Sequence, residues 1–349
     1  MDDATTVEWL STAIGQATRS AQFCVVGCLP VVDPGIQVEG LGAITLPLKR
    51  GVAKNLVAFC QAAPYGKGKQ TLVNKKVRNT FQLDPKKFRL NDAWNVAIAD
   101  AMRPVAEQLG LPAEQLEARL YKLLVYERGG FFLPHRDSEK HDRMVASMIV
   151  VLPNRFEGGT LVVRHGAAEQ TLTFDEAAGG KAPCYAAFYA DCEHEVQRVT
   201  RGVRLCLAYN LVLKPKRVKP SAAANLAAPA DVLAESIGSW VARQPAKPLV
   251  FALEHHYTQR GLSLDLLKGV DRRLADLVVS AAEKADCTVH LAQVSRHLMQ
   301  FADDGSLDRA YSRYDRAPRR EIEVGETYED GYLVGIYQMD GEQLVPSKT

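Results

Sequence analysis

The sequence predicts an α+β fold built around an antiparallel β-sandwich or barrel. From residue 121 onward, short apolar segments separated by Gly, Pro and polar turns recur about every eight to twelve residues, a spacing typical of antiparallel strands. Before residue 121, segments with apolar residues at helical spacing alternate with strand-like ones. A Pro/Ala/Ser-rich stretch at 218–231 precedes a smaller C-terminal α/β region. The chain is therefore predicted to have a sheet-rich core with flanking helices and a distinct C-terminal region.

The first 120 residues are predicted to support this core. Helical and strand-like patterns alternate there, with a helix within 1–20, strands at 23–32 and 42–48, and helices over 51–63 and 93–111. We expect the helix over 93–111 to pack its apolar face against the sheet. A polar, basic loop at 64–80 lies between the last two helices.

The core itself is predicted to lie within 121–213. Its strand-like segments are 121–126, 144–152, 160–166, 169–174, 184–190, 195–200 and 203–213. Together with the support at 1–120, this core forms a predicted first domain over 1–217, which the linker at 218–231 follows.

The remaining residues, 232–349, are predicted to form an α/β region whose role the sequence does not indicate. Strand-like segments lie at 248–256, 287–294 and 320–340, and a helical pattern lies near 271–285.

Composition and charge match an ordinary globular protein. Apolar residues make up 47% of the chain and charged residues 24%, and no apolar stretch approaches the roughly 20 residues of a membrane helix. The acidic start, MDDATTVEWL, argues against a secretory signal, so we expect a cytoplasmic protein with no membrane partner. A net charge of +2 is too small to indicate a nucleic-acid partner.

The seven cysteines are scattered, odd in number and without a CxxC pair, so we expect no disulfide framework. The spacing of Cys24 and Cys28 suits a metal, but no second Cys or His pair follows at zinc-site spacing. Both are therefore predicted to be reduced structural thiols.

A histidine and an aspartate separated by one residue are the first candidates for chemistry. Side chains two apart on a strand share a face, so His135 and Asp137 can bind one metal ion while Arg136 points away. His194, near the end of the strand-rich block, can supply a third ligand. Two histidines and one carboxylate form the facial triad of non-haem Fe(II) oxygenases, which leaves coordination positions open. Arg204, in the following strand-like segment, can bind a carboxylate through its guanidinium.

These residues lie in three ordered sequence blocks. The first, YERGGFFLPHRD (126–137), has the form Tyr-x-x-Gly-x-x-aromatic-x-x-His-x-Asp. The second is ASMIVVLPNRFEGGTLVV (146–163), and the third, HEVQRVTRGVRLCLAYN (194–210), has the form His-x-Val-x-x-Val-x-x-Gly-x-Arg. His-x-Asp alone is a weak signal, but three blocks in this order are specific. They resemble the Fe(II)/2-oxoglutarate-dependent dioxygenases, in particular the prolyl-4-hydroxylase-like branch.

The resemblance implies a double-stranded β-helix (jelly-roll) core with Fe(II) held by His135, Asp137 and His194. It implies that Arg204 binds the C5 carboxylate of 2-oxoglutarate, and that Tyr126 hydrogen-bonds near the metal-bound end of this co-substrate. In the implied reaction, O2 converts 2-oxoglutarate to succinate and CO2 while an unactivated C–H is hydroxylated, with ascorbate as a candidate reductant. The residue type alone leaves Tyr126 open between a site residue and a core aromatic.

Four further positions carry predictions. Arg78 lies in VRNT, which resembles a stretch on the substrate loop of prolyl-4-hydroxylase-like enzymes, and is a candidate substrate contact; a solvated loop charge is the alternative. Cys206 stands where other oxygenase branches have a serine. Gly158 and Gly159 are predicted to allow a tight turn or a bulge.

The predicted function is hydroxylation of an amino-acid side chain, in the first place proline, in a protein or peptide. A free amino acid or small metabolite is the alternative substrate, whereas nucleic-acid demethylation is disfavoured because RLCLAYN lacks the second arginine of alkylation-repair relatives. A non-catalytic jelly-roll binding module is the alternative from another class. We expect no second metal centre, since His255 and His256 would point to opposite faces of a strand.

Overall fold

The structure is a computed structural model that describes residues 22–67, 70–137, 141–215, 227–243, 248–302 and 324–345. The chain divides into two compact units, Met1–Thr288 and Val289–Thr349. The helix predicted within 1–20 lies outside the described residues, as does most of the linker predicted at 218–231. The described end of that linker begins a helix. The assignment of functional domains stays a prediction.

The strand pairs of the described residues are antiparallel, as predicted for the core. In chain order the strands are β1 (Cys24–Cys28), β2 (Gln37–Val38), β3 (Gly42–Ala43), β4 (Gln61–Ala62), β5 (Tyr65–Lys67), β6 (Gln70–Leu72), β7 (Arg78–Asn79), β8 (Phe81–Leu83), β9 (Phe88–Arg89), β10 (Leu116–Tyr126), β11 (Phe131–His135), β12 (Met144–Val151), β13 (Phe156–Gly158), β14 (Leu161–His165), β15 (Ala168–Leu172), β16 (Cys184–Tyr189), β17 (Glu193–Val196), β18 (Val199–Gly202), β19 (Arg204–Leu213), β20 (Leu291–Ala302), β21 (Val324–Tyr337) and β22 (Gln343–Val345).

The α-helices of the described residues are α1 (Arg50–Phe59), α2 (Asp92–Leu109), α3 (Asp175–Ala178), α4 (Ala227–Arg243) and α5 (Gly269–Lys284). Helix α2 begins where the Asn91 side chain accepts a hydrogen bond from the backbone N–H of Trp94, and it ends at Gly110, whose φ of 70° is left-handed. None of these helices is long and apolar enough to cross a membrane.

A seven-stranded sheet forms the centre of the first unit, in the order β1-β16-β12-β19-β10-β8-β4. Every residue of β19 is buried, so both faces of the sheet are covered at this strand. Helix α2 packs against β10 and β1, as predicted. One hydrophobic cluster joins α2 to this sheet and to a five-stranded sheet in the order β15-β14-β17-β11-β7.

The segment predicted as one strand over 195–200 instead forms the end of β17 and the start of β18, which belong to different sheets. Between them the backbone changes partners: Gln197 donates its N–H to Thr160, and Val199 donates to Gly130. This change leaves β17 beside β11 while β18 pairs with β13.

Two other expectations are corrected. The segment 248–256 is not a strand, because the N–H groups of Glu254, His255 and His256 donate to the carboxylates of Asp271 and Asp191 rather than to a neighbouring strand. The strand predicted at 42–48 is limited to β3.

The expectation that Cys28 is a reduced thiol is wrong, because it forms a disulfide with Cys184. The two residues lie directly opposite each other on β1 and β16. They are 156 positions apart in sequence, so spacing could not reveal the pair. Cys24 is a free, buried thiol, as predicted.

The second unit contains a three-stranded antiparallel sheet, β20-β21-β22. Its first two strands overlap the segments predicted at 287–294 and 320–340, and α5 of the first unit corresponds to the helix predicted near 271–285.

Candidate metal centre

Strand register places two of the predicted ligands side by side. Strand β11 pairs with β17 so that His135 lies directly opposite His194, and their ring centroids are 4.1 Å apart. Directly opposite residues on antiparallel strands are the closest cross-strand pair, so a shared ligand is within reach of both imidazoles.

Asp137 completes the cluster from a position just beyond the strand. His135 is the last residue of β11, so the prediction that both residues lie on a strand holds only for the histidine. The carboxylate of Asp137 is oriented by Ser147 of β12, whose hydroxyl donates to Oδ2 over 2.5 Å. The same Oδ2 is 3.8 Å from Nε2 of His194. One potential ligand atom from each of the three residues lies within 4.8 Å of those of the other two.

Backbone carbonyls fix the tautomers of both imidazoles. Nδ1 of His135 lies 2.9 Å from the carbonyl oxygen of Leu133, and Nδ1 of His194 lies 3.2 Å from that of Cys192. Because a carbonyl only accepts, Nδ1 of each ring carries a proton, and the neutral tautomer that donates there has its lone pair on Nε2. This is the form in which histidine binds a metal, with the other ring nitrogen held by a backbone oxygen.

The electrostatics of the cluster favour a neutral His135 imidazole beside an ionised Asp137 carboxylate. Burial, followed by the neighbouring His194, lowers the pKa of His135 to about 3. Burial acts to raise the pKa of Asp137, but His194, His135 and the hydroxyl of Ser147 outweigh it and hold the pKa below its ordinary value. At neutral pH the His135 imidazole is therefore available as a neutral ligand beside an ionised carboxylate.

A buried arginine that has no anionic partner among the described residues lies on the central strand. Arg204 is 0% exposed and sits opposite Tyr126, whose ring centroid is 5.4 Å from its guanidinium carbon. Its Nη1 donates to Sγ of Cys206 over 3.0 Å, whereas Nε and Nη2 have no hydrogen-bond partner among the described residues. A buried guanidinium with unused N–H groups is costly unless an anion binds there.

Gly159 makes room for this arginine. A Cβ atom at position 159 would lie 2.7 Å from Cδ of Arg204, and the φ of Gly159 is +69°. Gly159 is thus required both by its backbone conformation and by the close approach of Arg204. The prediction of a structural glycine is correct, and the residue that it accommodates could not be read from the sequence.

The remaining predicted residues lie close to these groups. Tyr126 is 2% exposed, and burial raises the pKa of its hydroxyl, which interacts with Thr80. Arg78 is half-buried, donates from Nη1 to the carbonyl of Pro64 over 2.7 Å, and stacks on Phe132 with its guanidinium carbon 4.2 Å from the ring centroid. Arg78 is therefore not a freely solvated loop charge.

A second His–Asp–His cluster, not predicted from the sequence, lies in the same unit. It consists of His165, Asp191 and His255, with potential ligand atoms again within 4.8 Å of one another. Here, however, Nζ of Lys268 is 2.9 Å from Oδ1 of Asp191, and the backbone N–H of His256 donates to Oδ2. The Asp191 carboxylate is thus already bound by an ammonium group that is itself buried.

Comparison with known proteins bears on the first cluster. Residues 121–212 match the model of the 2OG-Fe(II) oxygenase superfamily. This match confirms the resemblance to the Fe(II)/2-oxoglutarate-dependent oxygenases and spans the predicted core. The matched segment contains His135, Asp137, His194, Arg204 and Tyr126, while Arg78 precedes it.

Solved structures of several oxygenases are similar to part of the chain. A Pseudomonas putida prolyl-4-hydroxylase is 19% identical, with 59% of this chain and 100% of that chain covered and a TM-score of 0.33. A 2OG-Fe(II) oxygenase family oxidoreductase from Burkholderia pseudomallei is 15% identical, with 58% and 90% covered and a TM-score of 0.32. A Trichoplax adhaerens prolyl hydroxylase, solved with a hypoxia inducible factor peptide fragment, is 11% identical, with 60% and 91% covered and a TM-score of 0.33. No curated protein sequence matches the chain.

Proposed function

We propose that the protein is an Fe(II)- and 2-oxoglutarate-dependent dioxygenase that hydroxylates an unactivated C–H bond. The observation that carries this proposal is the combination, within the oxygenase segment, of a His–Asp–His cluster and a buried arginine with unused N–H groups. The first fits a metal ion with open coordination positions, and the second fits a carboxylate.

The residues of the first cluster fit ferrous iron. His135 and His194 present Nε2 lone pairs, and Asp137 presents a carboxylate oriented by Ser147. A set of two imidazoles and one carboxylate is the ligand set of non-haem Fe(II) oxygenases. We assign the three residues as the metal ligands, in a core of jelly-roll architecture.

Arg204 fits the distal carboxylate of 2-oxoglutarate. Its Nε and Nη2 can donate two hydrogen bonds, and ionic contact with a carboxylate would compensate its burial. Tyr126, opposite it on β10, is assigned as a hydroxyl that hydrogen-bonds to the co-substrate.

When bound, iron and 2-oxoglutarate supply the oxidation: one oxygen atom of O2 enters succinate as CO2 is released, and the other forms the product hydroxyl. The residues of the protein bind and orient these two groups and shield them from water. The Phe132 ring stacks on His135 with centroids 3.4 Å apart, and the Phe188 ring lies 4.6 Å from that of His194, so apolar groups limit water around both imidazoles. Ascorbate would act only as a reductant that keeps the iron ferrous.

The proposed substrate is a prolyl side chain, or another side chain, in a protein or peptide, with Arg78 as a contact. Support comes from the prolyl-4-hydroxylase-like form of the three motifs and from the position of Arg78 over Phe132, which in turn stacks on His135. A free amino acid or small metabolite is the second candidate. A non-catalytic binding module would leave the unused N–H groups of Arg204 unexplained. The proposed location of the protein is the cytoplasm.

The test is succinate release from 2-oxoglutarate by iron-loaded protein, comparing Arg204→Ala with Arg201→Ala. Arg201 is a matched control, since it lies nearby on β18 and forms an exposed ion pair with Glu157. We expect Arg204→Ala to lower kcat/KM for 2-oxoglutarate at least about 100-fold, because a charge-assisted bidentate contact is lost. Arg201→Ala should match the wild type. Equal turnover by Arg204→Ala and the wild type would show that the co-substrate site is wrongly assigned.

A further inference from the structure

A cavity of about 530 Å³ lies between Asp137 and a segment far along the chain. On one side it is lined by Arg136 and Asp137, which follow β11, and on the other by residues 256–260. The latter lie beyond the oxygenase segment at 121–212, in the region whose role the sequence does not indicate. The cavity thus connects a proposed metal ligand with a part of the chain outside the matched family domain.

The cavity is lined mainly by residues with polar or charged side chains, whose hydrocarbon parts provide the larger share of its surface. Apart from Ala190, every residue that lines it carries a polar or charged side chain. Sites for small apolar ligands are instead lined mainly by hydrophobic and aromatic groups. A volume of about 530 Å³ also falls within the range of cavities that hold ligands larger than a single amino acid. These properties fit a hydrogen-bonding, partly hydrated stretch of polypeptide.

A buried ionic cluster fixes the segment that forms the far wall. Nζ of Lys268 is 2.9 Å from Oδ1 of Asp191 and donates to the carbonyl of His256 over 3.0 Å. The backbone N–H of His256 and Nδ1 of His255 also contact the Asp191 carboxylate. A buried ion pair adds little net stability compared with apolar packing, but its strict geometry fixes the position of the groups it joins.

A second attachment lies closer to the surface. Arg143, just before β12, forms an ion pair of 2.7 Å with Asp265. The pair between Arg260 and Asp142, at 3.2 Å, is by contrast highly exposed on both sides. Exposed pairs contribute little, so Arg260 can exchange Asp142 for an acceptor on a bound molecule at small cost.

We infer that residues 256–260 form the outer wall of the substrate site, so that the segment after the oxygenase domain selects the substrate. The occupant is a polar stretch of polypeptide that carries the target side chain. His256 and Arg260 contact it, since both are exposed and line the cavity. This inference rests on the proposed dioxygenase function and gives a role to part of the chain that the family match leaves out.

The experiment uses the full chain and an array of proline-containing peptides of about 15 residues with varied flanking residues. Wild-type succinate release is measured without peptide and with each array member. The peptide that stimulates release most is then used to measure KM and kcat, and its affinity for Zn(II)-loaded protein is measured by calorimetry. His256→Ala and Arg260→Ala are compared with Arg103→Ala, because Arg103 lies on α2 and forms an exposed ion pair with Glu114.

We expect His256→Ala and Arg260→Ala each to raise KM and the calorimetric Kd of the peptide about tenfold, with a smaller change in kcat, because each removes a polar contact. Arg103→Ala should match the wild type. Unchanged peptide KM and Kd in both wall variants would overturn the inference. An array in which no peptide stimulates release, while turnover without peptide persists, would overturn the polypeptide occupant. Wild-type protein that binds no metal and consumes no 2-oxoglutarate would instead overturn the proposed function.

Discussion

The two His–Asp–His clusters of the first unit have the same residue types, but only the second contains a positively charged side chain that pairs with its aspartate. The Asp137 carboxylate accepts a hydrogen bond from the neutral hydroxyl of Ser147, so its charge is available to a cation. The Asp191 carboxylate is 2.9 Å from the ammonium of Lys268, which neutralises it within the protein. Residue composition and spacing therefore do not define a metal site. Whether such a cluster can bind a metal ion depends on whether a lysine or arginine of the protein already pairs with its carboxylate.

The largest expected effect is on metal retention, which should differ between variants of the two clusters. His194→Ala removes one of the two imidazoles of the first cluster, and we expect retained Zn(II) or Co(II) to fall from one ion per chain to none. His255→Ala is the matched variant, since both histidines are buried and both face an aspartate. It should retain one ion, as measured by elemental analysis after gel filtration.

The reverse result would remove the distinction drawn between the clusters. Loss of metal from His255→Ala but not from His194→Ala would place the metal at Asp191, and two ions per wild-type chain would show that Lys268 does not fill the second cluster.

The next effect concerns stability. Lys268→Met keeps the length of the side chain but leaves the buried Asp191 carboxylate without its ammonium partner. Breaking one side of a buried pair typically costs about 3–5 kcal/mol in the free energy of unfolding, and we expect a loss of this order in urea titrations.

Lys284→Met is the control for this measurement. Lys284 pairs with Asp231 on the surface, where an ion pair contributes about 0–1 kcal/mol. If both lysine variants lost the same small amount, Lys268 could not be the group that neutralises the second cluster.

The site was more predictable from sequence than the structure around it. The first cluster could be found because its ligands stand in ordered motifs, and the register that places His135 opposite His194 follows from two neighbouring strands. The second could not, because Asp191, His165 and His255 meet only when a segment without secondary structure folds back onto the core. No periodic pattern encodes such a contact.

The same limit explains the corrected elements. The apolar run at 248–256 has the composition of a strand, but its N–H groups are taken by two carboxylates, and a hydrophobic pattern carries no information about such partners. The Cys28–Cys184 bond likewise depends on which strand lies beside β1. Long helices with clear caps, such as α2, were predictable because their signals are local.

A smaller effect, on the metal affinity of the first cluster, is expected from Ser147→Ala. Asp137 lies past the end of β11, so strand geometry does not hold its carboxylate, and the hydroxyl of Ser147 orients it instead. Loss of a hydrogen bond that orients a metal ligand typically weakens metal affinity about 10–100-fold. Competition titration with Co(II) measures this change, and the visible Co(II) spectrum reports altered geometry.

Ser263→Ala is the matched control, because Ser263 is also buried and also donates to an aspartate, Asp265, over 2.6 Å. It should leave the Co(II) affinity unchanged. Equal Co(II) affinity in Ser147→Ala and the wild type would mean that Asp137 is held by other contacts.

The smallest effect is the pH dependence that the second cluster gives to stability. Burial acts to raise the pKa of Asp191, but the nearby His165 ring, the hydrogen-bonded His255 and the charge of Lys268 outweigh it and hold the pKa well below its ordinary value of 3.8. Below about pH 4 the unfolded chain therefore binds a proton that the folded chain does not. The contribution of Asp191 to stability is complete above this pH and is lost as the pH falls further.

The double variant Asp191→Asn/Lys268→Met isolates this contribution, because it replaces the ion pair by neutral groups of similar size. We expect its free energy of unfolding to fall less steeply than that of the wild type between pH 4 and pH 2.5, in urea titrations at each pH. The surface double variant Asp231→Asn/Lys284→Met should parallel the wild type, since its pair is exposed. Parallel curves for the wild type and the buried double variant would mean that Asp191 binds a proton in the folded state as easily as in the unfolded chain. Lys268 would then not keep the Asp191 carboxylate ionised.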